Sequence, residues 1–353
     1  MSKEQEVRAA FANQVAYCAA NDAPVTGRIC EAAIAMLDDS TAFGRRVLEW
    51  QGKPLADALP LRVAGGFHAL HLSGAEPAFS PLYAGEATAM AAAERLLASA
   101  LKRHEAKLLP WLDGPPQTNE AGRSANFVAA MLWLVKQGLS KRFECIEIGS
   151  SAGINLMMDR YHYDLVGETF GPENAEIRFK PEWRGNPPPS GSIAIKSLCG
   201  CDISPVDLTD EAQAMRLKAY IWPEHKLRFK RFEAAIKEAH IDTPNLVQAD
   251  AAEFVETQLK TLKKPDTTRL LMHSIVWQYL PDATRDRITA SMAAAGAKAS
   301  PKKPLAWITL ESNRGNYRHE LQVKYWNGET DNPEWHPLGT SHAHGAWIEW
   351  MAK

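Results

Sequence analysis

The chain has 353 residues, of which 45% are hydrophobic and 23% charged, with 40 Lys and Arg against 42 Asp and Glu. That length leaves room for two or three domains with a sizeable core, and the composition is that of an ordinary globular protein. The net charge of −2 lacks the basic excess that tracks a phosphate backbone, which argues against a nucleic-acid partner.

Five cysteines (Cys18, Cys30, Cys145, Cys199 and Cys201) leave an odd number and form no C-x-x-C pair. This is a reduced pattern rather than a disulfide framework. The first residues, Met-Ser-Lys-Glu-Gln-Glu, are charged and lack the apolar segment of a signal peptide. No apolar run approaches the ~20 residues needed to cross a bilayer. A cytoplasmic protein with a small-molecule substrate, and without a membrane partner, is expected.

Residues 1–140 read as a helical domain. Ala10, Phe11, Val15 and Cys18 recur at helical spacing, as do Ile29, Ala33 and Leu37. The alanine-rich stretch 86–107 predicts a long helix ending near Pro110. After Gly114-Pro115-Pro116 a further helix is expected from about Thr118 to Gly138. Thr118 would cap it, Glu120 suits its positive end and Gly138 can stop it.

From Lys141 the pattern alternates. Strands are expected at 143–148, 193–201, 245–249, 269–275 and 304–311, and helices at 153–165, 208–219, 223–240, 251–262 and 282–295. Such alternation predicts a parallel sheet covered on both faces. Segments 319–326 and 346–350 read as strands with no helix between them, an antiparallel hairpin closing the sheet. Pro187-Pro188-Pro189-Ser190-Gly191 and Ser300-Pro301-Lys302-Lys303-Pro304 mark exposed loops, the first within an expected insertion at about 168–192. No internal repeat is visible. The expected organisation is thus a helical domain at 1–140, covering a cleft in an α/β domain at 141–353.

The strand-turn-helix pattern around Phe143-Glu-Cys-Ile-Glu-Ile-Gly-Ser-Ser-Ala-Gly-Ile-Asn155 is the most informative stretch. Backbone N–H groups at such a turn can meet a ligand directly. A dinucleotide fingerprint would need glycines where Ser151 and Ile154 stand, and a P-loop would need a lysine. The spacing E-x-G-x-[small]-x-G, through Glu147, Gly149, Ser151 and Gly153, instead resembles motif I of the Rossmann-like S-adenosylmethionine-dependent methyltransferases. Ser151 departs from the glycine most often found there. The same residues match G-x-S-x-G, the nucleophile elbow of α/β-hydrolases, with Ser151 as nucleophile and His342 or His344 completing a triad. A hydrolase elbow normally follows several strands, however, whereas about 140 helical residues precede this one.

Later strand ends carry further candidates. Asp202, in Cys201-Asp202-Ile203-Ser204-Pro205, resembles the ribose-binding acid of motif II, although it lies far beyond Gly153; Glu182 is the alternative. Val247-Gln248-Ala249-Asp250-Ala251 resembles the adenine-facing motif. The stretch Leu270-Leu271-Met272-His273-Ser274-Ile275-Val276-Trp277-Gln278-Tyr279-Leu280-Pro281 resembles the fourth strand and its exit toward substrate. A strand-end aspartate is, equally, a common helix cap.

Three groups of residues extend the resemblance over most of the chain, to an uncharacterised bacterial family classed as a domain of unknown function. They are Pro115-Pro116-Gln117-Thr118-Asn119-Glu120 with Gly122-Arg123, then Ser151-Ala152-Gly153 with Asn155-Leu156, Asp159 and Tyr161, and finally His342-Ala343-His344-Gly345. That family is similar in its second half to the methyltransferases.

What the likeness implies is a Rossmann-like sheet binding S-adenosylmethionine. Glu147, Gly149, Ser151, Gly153 and Asn155 would shape the cofactor site, with Asp202 on the ribose, Asp250 and Ala251 by the adenine and His273 nearby. Arg123 would face the cofactor carboxylate, with Asn119 or Glu120 closing the site; a Glu120–Arg123 pair on a capped helix is the plainer reading. On the helix after Gly153, Ile154, Met157, Tyr161 and Leu165 form the expected buried face, and Asn155, Asp159 and His162 another. Trp277, Gln278, His342 and His344 would line the acceptor pocket, the histidines as base or donor. No metal site is expected, because His342, His344 and His336 lack a convincing further ligand. The expected activity is methyl transfer to an unidentified small or medium-sized acceptor. A serine hydrolase and a non-catalytic nucleotide-binding protein remain alternatives.

Overall fold

A computed structural model describes residues 2–117, 119–261, 264–313, 315–316, 318–330 and 332–353. Thr118, the expected helix cap, lies outside the described residues. The chain divides into two compact units: Met1–Thr118 with Asp210–Lys230, and Asn119–Thr209 with Arg231–Lys353. The boundary therefore falls before residue 140, and the segment 210–230 returns to the helical unit. No helix among the described residues is long and apolar enough to cross a membrane.

The first unit is helical. Its main helices are Lys3–Ala20, Pro24–Met36, Leu59–Leu72, Met90–Leu108 and Glu211–Ala219. Ser2 and Gln5 form a reciprocal capping box on the first, satisfying two N–H groups that the helix itself cannot. Phe11, Ile29, Phe43, Phe67, Phe79 and Leu97 are buried together as its core. The return of segment 210–230 has a specific cause. Glu224 accepts from Val25 N at 2.6 Å, Thr26 N at 3.0 Å and Thr26 Oγ1 at 2.8 Å, acting as the cap that Ala23 cannot supply.

The second unit is α/β. Its strands are β1 (Arg142–Ile148), β2 (His162–Leu165), β3 (Glu168–Phe170), β4 (Arg178–Phe179), β5 (Glu182–Gly185), β6 (Ala194–Asp202), β7 (Leu246–Gln248), β8 (Thr268–Ser274), β9 (Leu305–Asn313), β10 (Arg318–Trp326), β11 (His336–Ser341) and β12 (Trp347–Trp350). Among the described residues nine of them form one sheet, in the order β5-β12-β11-β10-β9-β8-β1-β6-β7. β7, β6, β1, β8 and β9 run parallel, while β9 to β12 pair antiparallel. The sheet is mixed rather than wholly parallel. From β1 the chain moves outward to β6 and β7, then crosses back to β8 and β9, so connections diverge on either side of β1.

Two-residue alternation sets the faces of the sheet. Ile146 and Ile148 of β1, Leu271 of β8 and Trp307 of β9 pack with Val255, Ile288 and Met292 of the helices Ala251–Lys260 and Asp282–Gly296. Glu147 therefore points to the opposite face.

Two expected elements differ. The helix expected at 153–165 is a 3-10 turn, Ile154–Arg160, followed by β2. The Tyr161 hydroxyl donates to Ile154 O at 2.8 Å, and β2 is drawn into a separate sheet with β3 and β4, so the insertion begins earlier than 168. The terminal hairpin is also more elaborate. β11 lies between β10 and β12, and β5 adds to β12 in parallel. Pro337 and Gly339 conceal β11 in the sequence, since both disfavour strands. A side chain on Gly339 would meet Glu349 O at 2.1 Å.

Candidate functional site

The turn after β1 is built from three left-handed residues: Gly149 at φ +66°, Ser151 at φ +53° and Gly153 at φ +70°. The glycines answer to protein neighbours. A Cβ on Gly149 would lie 2.3 Å from Val276 Cγ2, and one on Gly153 would lie 2.9 Å from Pro244 Cβ. Ser151 holds the left-handed conformation without that freedom, a cost localised at the turn. Asp202, at the end of β6, restrains it. Its Oδ2 accepts from Ser151 N at 2.8 Å and its Oδ1 from Ser204 N at 2.9 Å. Each oxygen keeps a second lone pair. Glu182, the alternative acid, stands exposed on β5 at the opposite edge of the sheet and pairs with Arg184. The neighbour of the turn is Asp202.

Glu147 is buried beneath this turn, and Asn155 Nδ2 donates to its Oε1 at 2.8 Å. Burial pushes the carboxyl up to about 7, against the opposing pull of Asn155, Ser150 and the Arg123 charge, while Asp202 adds to the rise. Glu147 Oε2, Ser151 Oγ, Asn155 Oδ1 and Asn119 Oδ1 are buried without a hydrogen-bond partner. Buried polar atoms rarely remain so, and four around one turn mark a place where a polar ligand or water completes the bonding.

The three sequence groups meet around this turn. Asn119 Nδ2 donates to Ser150 O at 2.6 Å, tying the first group to the second. Arg123 Nε donates to Ala343 O at 3.0 Å, tying the first to the third. Backbone approach at this second joint is close enough to require glycine on both sides. A Cβ on Gly122 would lie 2.6 Å from His344 O, and one on Gly345 would lie 2.3 Å from Gly122 O. Glu120 Oε2 is 3.9 Å from His344 Nδ1, and the Glu120 side chain also accepts from Gly122 N. Glu120 is the N-cap of a 3-10 turn, Ala121–Arg123, which precedes the helix Ser124–Lys136, so neither residue lies on a regular α-helix. The backbone N–H of His344 donates to His342 Nδ1 at 3.1 Å. Burial, then the nearby Arg123 and His342, hold His319 below the usual histidine range.

The other sequence candidates are dispersed. Asp250 caps the helix Ala251–Lys260, accepting from Ala252 N at 2.9 Å and Glu253 N at 3.1 Å, with Ala251 as its first residue. His336 packs against Trp133 and Tyr325, each at 5.4 Å between ring centroids. Gln278 belongs to the 3-10 turn Trp277–Tyr279 after β8. His273 stacks on Trp277 at 5.1 Å, and its Nδ1 lies 2.6 Å from Glu311 Oε1, which also accepts from Val276 N at 3.1 Å. Between them, Ile275 adopts φ +52°, a strained value for a β-branched residue.

Sequence reasoning passed over Glu311. The available signal was a carboxylate in register with Leu305, Trp307 and Thr309 on a strand expected to be apolar. Such a residue needs a partner inside the fold, and here it is His273.

The chain belongs to the family described as "Uncharacterized protein conserved in bacteria (DUF2332)", whose profile matches residues 8–350. No curated protein and no solved structure matches it.

Proposed function

We propose that this chain is an S-adenosylmethionine-dependent methyltransferase with its cofactor on the turn between β1 and the Ile154–Arg160 segment. The observation that carries the reading is the group of four unpartnered buried polar atoms on Asn119, Glu147, Ser151 and Asn155. They surround the strand at which the connections diverge, the usual position of a ligand in an open α/β sheet. The parallel order β7-β6-β1-β8-β9 within the mixed sheet supports reading this half as Rossmann-like.

When bound, the sulfonium supplies an already activated methyl group, so the protein's contribution is chiefly alignment and exclusion of water. Glu147 Oε2 is free to accept from the cofactor's ammonium group, and the Arg123 charge nearby favours its carboxylate end. Asp202 holds the turn through one lone pair on each oxygen and offers the others to ribose hydroxyls. Asp250 and Ala251 lie at the β7 exit and would flank the adenine, where Asp250 already serves as a cap. The His273 and Trp277 segment, next to Gly149 through Val276, would face the acceptor.

The hydrolase alternative receives less support. Ser151 Oγ makes no hydrogen bond, so no histidine is placed to take its proton. Ultraviolet cross-linking of S-adenosylmethionine followed by peptide mapping tests the proposal. Label on the peptide spanning 142–160 supports it; label elsewhere, or none on folded protein, removes it.

A further inference from the structure

A cavity of about 460 Å³ lies on the side of the sheet opposite Glu147, lined by β8, β9, β10 and the helix Asp282–Gly296. That volume suits a small organic ligand. Four indoles line it, those of Trp277, Trp307, Trp326 and Trp335; Trp277 meets Trp307 edge to face at 5.5 Å, and Trp307 meets Trp335 at 5.1 Å. His273 and Glu311 line the same space.

The polar atoms of this lining are incompletely bonded. Glu311 Oε1 is engaged by His273 Nδ1 and Val276 N, but Glu311 Oε2 is buried without a partner. His273 Nε2 and Trp307 Nε1 are also without partners, on side chains that are almost wholly buried. Glu320, a second carboxylate, accepts from Asn313 and Asn316 on Oε1 and from Gln322 on Oε2. Lys324 lines the cavity beside Asn332 and over Trp326, so Glu311, Glu320 and Lys324 together leave one net negative charge. A carboxylate oxygen shielded from water calls for a charged donor, and indole rings attract cations through their electron-rich faces.

We propose that this cavity binds a small organic ammonium, with its N–H groups on Glu311 Oε2 and its hydrocarbon part against Trp277, Trp307 and Trp335. Trp307 Nε1–H supplies a donor for a hydroxyl or carbonyl elsewhere on the same ligand. A carboxylate can only accept, so Glu311 favours the His273 tautomer with its proton on Nδ1, in which the unpartnered Nε2 is a lone-pair acceptor. Resting on the methyltransferase reading, the ligand is the methyl acceptor. One ammonium proton passes to His273 Nε2. The nitrogen lone pair so freed would be available to the activated methyl group that the cofactor would supply, the departing electron pair staying on sulfur.

The test of the binding site needs no cofactor. Intrinsic tryptophan fluorescence of the full chain is titrated with phenethylammonium and, as a neutral isostere, with 2-phenylethanol. The expected result is saturable quenching by the ammonium, at least tenfold tighter than by the alcohol, and weakened at least tenfold in Glu311→Gln. Trp335 is partly exposed, so Trp335→Ala should fold even if the Glu311 variant does not, and should weaken binding about 3- to 30-fold. Equal affinity for the two probes, no saturable quenching, or unchanged affinity in Trp335→Ala would overturn the assignment. Failure of S-adenosylmethionine to bind would remove the methyltransferase reading and leave this result standing.

Discussion

Arg123 donates from Nε to the carbonyl oxygen of Ala343 at 3.0 Å, joining segments 220 residues apart. Beside that bond the Gly122 and Gly345 backbones are in close approach, so the joint has no room for a side chain. Removing a buried charged donor from such a joint costs about 1.5–3 kcal/mol. Arg123→Ala should show that loss in urea unfolding monitored by circular dichroism. Arg123→Lys should not recover it, because an ammonium cannot reproduce the guanidinium geometry. Wild-type stability in either variant would remove the joint from the account.

Glu147 provides a pH dependence of unusual sign. Its carboxyl is raised from 4.5 to about 7 by burial, so the folded protein holds a proton that the unfolded chain has released. Between those values fewer protons are bound on unfolding, and stability falls as pH rises. The full effect is of order 3 kcal/mol, lost between about pH 4.5 and pH 7. Glu147→Gln should flatten the stability profile across that window. Arg123→Ala, by removing the positive charge that lowers this carboxyl, should move the upper end of the window to higher pH. A wild-type profile rising through the window would contradict the burial argument.

At Gly149 the left-handed backbone and Val276 act together. Gly149→Ala is expected to destabilise by about 1–3 kcal/mol through overpacking, with further strain from the positive φ. Adding Val276→Ala should recover part of the loss, since it removes the methyl groups that the new Cβ meets. Additive losses in the double variant would count against direct contact.

Ser151 separates two chemistries. Its hydroxyl is buried and unbonded, so Ser151→Ala should leave stability unchanged or raised by up to about 1 kcal/mol. A fluorophosphonate probe should not label the wild-type protein. Labelling abolished by Ser151→Ala would restore the hydrolase reading.

The α/β half was legible because its strands are short apolar runs bounded by turns, and β1, β6, β8, β9 and β10 fall close to their expected positions. What escaped has local causes. Pro337 and Gly339 hide β11, and the apolar spacing of Ile154, Met157 and Tyr161 suits a helix, although tertiary pairing of β2 shortens it. At the site, the residues around Gly149 were visible as a turn, whereas the contacts of Arg123 and Glu311 depend on partners far away in sequence. Asp250 shows the converse: a plausible ligand contact whose oxygen is engaged in capping a helix.

Calorimetric titration with S-adenosylmethionine and S-adenosylhomocysteine tests the central claim most directly, using wild-type protein beside Asp202→Asn and Glu147→Gln. Micromolar binding by the wild type, weakened at least tenfold in both variants while circular dichroism shows them folded, is the expected result. Folded wild-type protein that takes up neither compound would contradict the methyltransferase assignment.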